Sequence, residues 1–391
     1  MRIIYVSDNV YDRGPDGGWY NTAAFPLKYI SEALPELRSF CFWGRLRERT
    51  DVNGVLRLDN ALPSSTVRIE FDGPFGQKAG PLGYASGILK TILRLRQRVR
   101  NADILWAKMP YVYSTLAWPF AGRNQLRISH QVGNAAECVG QVYPRMRFLG
   151  HFLDWSSRRL ASKADIAAFV SEKLRDKYGD RSDAAAMVVH NSRITRDMLW
   201  RRPRTMHSPF RLLFVGRISP EKGLAYAIEA LAQTEHTELC VVGEGPVKQA
   251  SQRRAEELGI ADRVTWRGRL RWGLPLFSAM RDSDALILPS LTEGLPQVVV
   301  EAQTQSCPVI ATTVGGIPEI IRTGENGILV PPGDSTAIAE AIRQVRDPAT
   351  WQRLSEGAAE EGEKHTVEKQ TGKLLERIQT WWRQKGRCSG R

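Results

Sequence analysis

The chain has 391 residues, 42% of them hydrophobic and 25% charged, which is the composition of a folded protein rather than a disordered one. This length exceeds one ordinary core, so we expect two domains. The five cysteines are scattered without a CxxC pair and no run of about 18 apolar residues occurs, which argues against a disulfide framework, a cysteine zinc site and a membrane span.

The net charge of +13 is unevenly distributed. Residues 1–205 hold 32 Lys/Arg against 19 Asp/Glu, whereas residues 206–391 hold 23 of each. This asymmetry predicts that the first half meets something anionic, such as a lipid surface, a phosphorylated acceptor or nucleic acid. The amino terminus has too short an apolar run for a signal peptide, so we expect a cytoplasmic protein.

The first half alternates predicted strands with predicted helices. Strand-like runs lie at 1–8, 37–44, 66–73, 103–110, 125–133, 165–172 and 187–192, and helical patterns lie at 20–34, 84–100 and 145–163. Residues 1–200 are therefore predicted to form the amino-terminal domain. The stretch 201–210 carries two prolines and no periodicity, so it is interpreted as a linker.

The second half alternates more regularly. Strand-like runs lie at 211–218, 237–245, 263–270, 284–291, 307–316 and 327–332, and helical patterns lie at 223–233, 247–260 and 335–347. Residues 211–368 are predicted to form the carboxyl-terminal domain, followed by an amphipathic helix within 369–391. The expected fold is α/β, with two Rossmann-like doubly wound domains facing across a cleft.

Ligands of such sheets bind beyond the carboxyl ends of the strands, and the turn 214–224 is the first of these in the second half. Arg217 and Lys222 stand at its two ends, where a strand gives way to a helix. An arginine fork and a compact lysine charge suit a diphosphate. The alternative is a pair of solvated surface cations.

A second turn places two glutamates eight residues apart, Glu293 and Glu301. We expect Glu293 to meet a neutral hydroxyl and Glu301, two helical turns on, to accept hydrogen bonds from a ribose diol. The alternative is a capping Glu293 and a surface Glu301.

The backbone between these glutamates is a candidate phosphate site. Pro296 suits the first position of a helix because it lacks an N–H. The free amides of Leu295, Gln297 and Val298 can then face a phosphate.

Two features of the first half follow predicted strands. Gly17 and Gly18 belong to a glycine-rich turn whose backbone could approach a phosphate closely. His130 lies at the carboxyl end of the strand 125–133, although a lone histidine is as often structural as functional.

Several blocks of the second half resemble a known family. "GRISPEKGL" and "EGLPQVVVEA" are similar to the donor-site signature of the family-four retaining glycosyltransferases, which have the GT-B fold of two Rossmann domains. "VTWRGRL", "PVIATTVGGIPEII" and "GENGILVPPGD" resemble successive blocks of the same family. The resemblance covers nearly all of 211–335 and is loose over 1–200.

The resemblance implies transfer of a sugar from a nucleotide-diphosphate sugar, with retention of anomeric configuration and no metal or other cofactor. It implies that Arg217 and Lys222 stabilise the diphosphate, that Glu301 holds the ribose and that Glu293 contacts the donor sugar. The donor would be a UDP-, GDP- or ADP-sugar.

For the remaining positions the resemblance implies contacts with other parts of the donor. Backbone around Gly268 and Arg269 would lie near the base. The Gly17–Gly18 turn would meet the phosphates from the other domain, and His130 would contact the donor sugar. The resemblance also implies that the helix within 369–391 packs back on the amino-terminal domain.

A basic amphipathic helix, 87–100, favours an anionic or lipid-linked glycan acceptor. Its apolar stripe comprises Ile88, Ile92, Leu95 and Val99, and a second stripe comprises Lys90, Arg94 and Arg98. We therefore expect peripheral association with the inner membrane face and a role in surface polysaccharide or glycolipid biosynthesis. The alternative for this helix is an ordinary domain helix with a solvated face.

Two other functions are weaker hypotheses. A GT-B-shaped nucleotide-sugar epimerase or phosphorylase shares the expected fold, although no cofactor lysine or second phosphate pocket is visible. A basic nucleic-acid-binding protein is motivated by charge alone, because no RNA motif or recognition helix stands out, and we expect no nucleic-acid partner.

Overall fold

A computed structural model describes residues 1–21, 26–50, 56–58, 67–74, 81–134, 147–179, 185–190, 192–200 and 202–388. Two compact units are present: unit 1 comprises Met1–Arg193 and Gln370–Arg391, and unit 2 comprises Ile194–Lys369. The described part of the predicted linker thus belongs to unit 2, and residue 201 lies outside the described residues. Arg204 anchors this segment, because its guanidinium donates to the carbonyls of Ser306 (2.6 Å) and Arg281 (3.1 Å).

Unit 1 is built on a mostly parallel sheet. Its elements are β1 (Arg2–Arg13), β2 (Trp19–Asn21), α1 (Leu27–Ala33), β3 (Ser39–Glu48), β4 (Leu56–Arg57), β5 (Arg68–Asp72), α2 (Pro81–Asn101), β6 (Ile104–Met109), α3 (Val112–Ala117), β7 (Leu126–Gln131), α4 (Arg147–Ala161), β8 (Ile166–Phe169), α5 (Glu172–Tyr178) and β9 (Ala186–Val188). In the described residues the parallel strands run in the order β5-β3-β1-β6-β7-β8-β9. β2 pairs antiparallel with β1, and β4 pairs antiparallel with β2.

The predicted helix at 20–34 is wrong over its first part. Tyr20 pairs antiparallel with Asp12, so the chain after β1 turns back as a hairpin before α1 begins at Leu27. The main-chain hydrogen bond from Gly14 N to Gly18 O (2.8 Å) closes this hairpin. Residues 22–25 lie outside the described residues.

Unit 2 is a six-stranded parallel sheet over its described residues, in the order β12-β11-β10-β13-β14-β15. Its elements are β10 (Phe210–Val215), α6 (Leu224–Ala232), β11 (Thr237–Val242), α7 (Lys248–Glu257), β12 (Val264–Gly268), α8 (Leu274–Arg281), β13 (Ala285–Leu288), α9 (Gln297–Thr304), β14 (Val309–Thr312), β15 (Gly327–Val330), α10 (Ser335–Val345) and α11 (Pro348–Lys364).

Helices cover both faces of this sheet. Leu212 packs into a core with α6 and α10, whereas its neighbour Leu213 packs into a second core with α8 and α9. Adjacent strand residues point to opposite faces, so a strand buried on both sides must be apolar throughout. All four residues of β13 and of β14 are accordingly buried.

The last helix, α12 (Val367–Cys388), begins in unit 2 and continues into unit 1. Its residues Leu374, Leu375 and Ile378 are buried in the core beneath β1, with Met1 and Ile3. Trp381 and Trp382 are partly buried against the same core. Across the described residues, no helix has the length and apolar character needed to cross a bilayer.

Candidate functional site

The carboxyl edge of the unit 2 sheet is a row of turns in close contact, and glycines make that contact possible. At Gly223 (φ 67°) an added Cβ would lie 2.0 Å from the carbonyl oxygen of Pro289, which joins the turn after β10 to the turn after β13. At Gly315 (φ 58°) an added Cβ would lie 2.0 Å from the carbonyl oxygen of Glu293. This close approach brings the turns after β13 and β14 together. Side chains cannot occupy such space, so these turns require glycine.

The same holds on the other side of β10. A Cβ at Gly243 would lie 1.9 Å from the carbonyl oxygen of Gly216, and the Gly243 amide donates to the carbonyl of Gly268 (2.8 Å). Gly268 itself has a φ of 65°. The turns after β12, β11, β10, β13 and β14 therefore form one continuous edge, which we call the strand-end edge of unit 2.

The predicted diphosphate ligands lie on this edge. Arg217 is exposed in the turn after β10. Lys222 ends a short 3-10 helix in the same turn, and 25% of its side chain is exposed. Its ammonium donates to Glu293 Oε1 at 2.6 Å.

Glu293 is held by two donors. Besides Lys222, the hydroxyl of Ser290 donates to the same oxygen at 2.7 Å, and 8% of the glutamate side chain is exposed. The Lys222–Glu293 ion pair joins a residue predicted to bind the diphosphate with a residue predicted to contact the donor sugar. In this structure each neutralises the other, so a bound diphosphate would share or compete for the lysine.

The predicted phosphate-binding backbone begins one residue later than expected. Pro296 is the N-cap rather than the first helical residue, so α9 begins at Gln297, followed by Val298. Among the described residues, no side-chain hydrogen bond caps this end of α9. Leu295 lies just before it and packs against the core that α8 and α9 cover.

Glu301 lies in the second turn of α9, one turn from its start and not two as predicted, because the turn residues Gly294–Pro296 precede the helix. It is 3% exposed, so the surface alternative is wrong. Its Oε1 accepts a hydrogen bond from the indole N–H of Trp272 at 2.9 Å. Trp272 follows β12, close in sequence to Gly268 and the exposed Arg269.

In unit 1, the Gly17–Gly18 turn lies within the β1–β2 hairpin. The Gly17 amide (φ 77°) donates to the carbonyl of Gly14 (3.0 Å), and the Gly18 amide donates to Asp16 Oδ1 (3.0 Å). Both amides are therefore engaged within the turn, and the predicted contact with phosphate remains a prediction.

His130 lies in β7 near its carboxyl end and is 8% exposed. Its Nδ1 accepts the indole N–H of Trp106 at 3.4 Å. Burial, reinforced by the charge of Lys108, lowers the pKa of His130 to about 3, so its ring is neutral near pH 7.

The predicted basic stripe on α2 is partly neutralised. Arg98 Nε donates to Asp72 Oδ2 at 2.6 Å, and Arg94 also pairs with Asp72. These two cations are consequently not free to meet a bilayer. The apolar stripe also differs from the prediction, because Leu95 and Val99 are buried whereas Ile88 is exposed.

Sequence reasoning missed several partners of these residues. Ser290, Trp272 and Lys108 were not singled out, although Ser290 is three residues from Glu293 and Lys108 ends a predicted strand as His130 does. An inspection of the carboxyl end of every predicted strand would have identified Lys108. The Trp272–Glu301 contact joins residues 29 apart and carries no sequence signal.

The chain is similar to several known proteins. Residues 200–361 match the family model of glycosyl transferases group 1, and this range lies wholly within unit 2. The chain is 29% identical over 321 residues to an alpha-D-kanosaminyltransferase of Streptomyces kanamyceticus, covering 76% of this chain and 82% of the relative. It is 33% identical over 258 residues to a D-inositol 3-phosphate glycosyltransferase of Thermomonospora curvata, covering 58% of each chain and so less than two thirds of that relative.

Among solved structures, Anabaena Alr3699/HepE in complex with UDP and glucose is similar at a TM-score of 0.68 with 18% identity. The match covers 97% of this chain and 99% of that one. This likeness, together with the two parallel sheets, confirms the predicted α/β fold with two Rossmann-like domains, the GT-B fold.

Proposed function

We propose that this protein is a glycosyltransferase that moves a sugar from a nucleotide-diphosphate sugar to an anionic or lipid-linked glycan acceptor, with retention of anomeric configuration. The observation that carries the proposal is the strand-end edge of unit 2, which carries Arg217, the Lys222–Glu293 pair and the start of α9, with the buried Glu301 one turn into that helix. The group 1 family match over residues 200–361 supports sugar transfer.

In this proposal Arg217 and Lys222 bind the diphosphate and stabilise the charge that develops on it as the glycosidic bond breaks. Fixed cations aimed at a leaving group act most strongly in the transition state. The amides of Gln297 and Val298 at the start of α9 add a partial positive charge. These groups supply the positive charge without a divalent metal, so we expect activity to persist in the presence of a chelator.

Glu301 holds the ribose, and its hydrogen bond from Trp272 fixes the orientation of the carboxylate. Glu293 contacts the donor sugar through its carboxylate. Retention then proceeds by attack on the same face of the sugar, with the departing phosphate taking the proton of the acceptor. The alternative, in which Glu293 attacks as a nucleophile, resembles retaining hydrolases.

A thermal-shift screen with UDP, GDP and ADP and their sugars tests the donor site. We expect one nucleotide to raise the unfolding temperature, and Arg217→Ala or Glu301→Ala to abolish that rise. Arg253→Ala is the matched control, because this exposed arginine lies on α7 away from the strand-end edge. If both site variants respond like the parent, the donor site lies elsewhere.

Product analysis separates this function from its alternatives. A transferase yields free nucleoside diphosphate and a glycosylated product in the presence of an acceptor. An epimerase instead converts the nucleotide sugar without any acceptor, and a phosphorylase consumes inorganic phosphate.

We also propose that unit 1 attaches to an anionic membrane through exposed apolar side chains. On α2 these are Ile88, Leu89 and Leu93, and on α4 they are Phe152 and Trp155. The rings of Phe152 and Trp155 lie 6.0 Å apart. Aromatic side chains beside basic ones suit the headgroup region of an anionic bilayer.

Vesicle flotation tests the attachment. We expect the chain to float with phosphatidylglycerol vesicles and not with phosphatidylcholine vesicles, and Phe152→Ser with Trp155→Ser to abolish flotation. Leu274→Ser is the control, because this exposed leucine begins α8 in unit 2. Equal flotation with both lipids would remove the proposal without affecting the donor site.

A further inference from the structure

The carboxyl edge of the unit 1 sheet brings a lysine and a histidine together. Lys108 on β6 and His130 on β7 are directly paired in the parallel register, so their side chains lie on the same face of the sheet. Trp106, two residues before Lys108, also lies on this face and contacts the histidine.

The tautomer of His130 follows from its neighbour. Indole N–H is a donor only, so the His130 Nδ1 that receives it carries no proton, and the neutral ring holds its proton on Nε2. Nε2 is buried and has no hydrogen-bond partner in the part of the chain that the structure describes. A buried donor without an acceptor is destabilising, so this N–H gains from any acceptor that reaches it.

Lys108 is a cation without a counter-ion in the described ranges. Burial lowers its pKa, and its ammonium lies 5.5 Å from the centre of the Tyr111 ring. No described carboxylate pairs with it: Asp8, which lies in β1, instead accepts the backbone N–H groups of Val112 and Tyr113. A desolvated ammonium beside a buried N–H donor leaves positive charge uncompensated, and a bound anion would compensate it.

We propose that Lys108 and His130 form a binding site for a phosphate group of the acceptor, the lysine supplying charge and His130 Nε2 donating a hydrogen bond, in place of the donor-sugar contact that the family resemblance implies for His130. The assignment to the acceptor rests on the proposed function, whereas the anion site itself does not. Phosphate fits because lysine binds it as a point charge and because its several oxygens can meet both donors at once. The relative named as a D-inositol 3-phosphate glycosyltransferase is consistent with this class of acceptor.

The test is protection of Lys108 from a lysine-acylating reagent, read by mass spectrometry on the full chain. Inorganic phosphate is compared with chloride at matched ionic strength. Lys90, exposed on α2, is the internal reference in the same spectrum. We expect phosphate at about ten times its Kd to slow acylation of Lys108 roughly tenfold and to leave Lys90 unchanged.

Two variants locate the effect. His130→Phe should weaken the protection, because the hydrogen-bond donor is lost, and circular dichroism establishes that this variant is folded. Arg217→Ala should leave the protection intact, because this arginine belongs to the unit 2 site.

Absence of phosphate protection in the parent would overturn the proposal. Protection that disappears in Arg217→Ala would also overturn it, since the phosphate would then act through unit 2. If UDP, GDP or ADP protects Lys108 and phosphate does not, the lysine belongs to the donor site and the acceptor assignment fails. Conversely, phosphate protection in a chain that no nucleotide stabilises would leave this site standing and remove the proposed function.

Discussion

Replacing Trp272 with phenylalanine isolates one hydrogen bond at the core of the candidate donor site. The phenyl ring preserves the packing of the indole, which meets Phe277 edge-on at 5.6 Å, but it cannot donate to Glu301 Oε1. Glu301 is 3% exposed, so water has little access to the abandoned carboxylate oxygen. A hydrogen bond to a charged group contributes about 1.5–3 kcal/mol, and we expect Trp272→Phe to lower the free energy of unfolding of unit 2 by about 2 kcal/mol.

Scanning calorimetry measures this loss. For a unit of this size, about 2 kcal/mol corresponds to a fall of roughly 4–8 °C in the unfolding temperature. The same variant should bind the nucleotide found in the thermal-shift screen more weakly, because the carboxylate that receives the ribose is no longer held in one orientation. Trp266→Phe is the matched control, since the Trp266 indole has no hydrogen bond with the described residues and the residue packs in a different core.

A double-mutant cycle identifies the cause. In the Glu301→Gln background the acceptor is neutral and its hydrogen bond weaker, so Trp272→Phe should cost about 1 kcal/mol less than in the parent. If the two substitutions add to within about 0.3 kcal/mol, the indole and the carboxylate are not coupled and the reasoning fails.

Three further predictions concern single side chains. Gly315→Ala should lower the free energy of unfolding in urea by about 2 kcal/mol or more, because its Cβ would clash with a backbone carbonyl. Gly324→Ala, at a glycine with a positive φ but open space, should lower it by about 1 kcal/mol. Equal losses would show that the close contact at Gly315 has no effect on stability. The pKa of His130 is about 3 in the folded chain against an ordinary value of 6.5, so protonation favours the unfolded chain. The parent should therefore lose about 1.4 kcal/mol of unfolding free energy between pH 7.5 and 5.5, and His130→Gln should not show this loss. The control His151→Gln, at an exposed position, should show the same loss as the parent. Burial raises the pKa of Glu361, but hydrogen bonds from a neighbouring histidine, lysine and arginine outweigh it and leave the pKa well below 4.5, so Glu361 stabilises unit 2 above about pH 4.5 and this contribution is lost as the pH falls; Glu361→Gln should be less stable than the parent at pH 7, and the difference should shrink on acidification.

The sequence predicted the fold well because both halves depend on local signals. Strands buried on both faces are short apolar runs, and the alternation with amphipathic helices makes each sheet parallel. Because the carboxyl ends of parallel strands meet at one edge of a sheet, the sequence also predicted that Arg217, Lys222 and Glu293 lie on one edge of unit 2. This part of the site follows from topology alone.

What the sequence could not predict depends on contacts between distant segments. The neutralisation of Arg94 and Arg98 requires Asp72, which lies 22 and 26 residues earlier and reaches α2 only through the sheet. Residues 20–21 fit a helical pattern in the sequence but form part of a hairpin strand, because Tyr20 pairs with Asp12. The close approach of Gly315 to Glu293 is likewise a property of packed turns.

The path of α12 has a consequence for how the protein is made. Unit 2 is an insertion within unit 1, because Gln370–Arg391 return to the core that begins with Met1. On the ribosome, unit 2 is synthesised complete before Leu374, Leu375 and Ile378 emerge. Unit 1 therefore cannot complete this core until unit 2 and then α12 have been translated, and we expect it to depend most on chaperones during this delay.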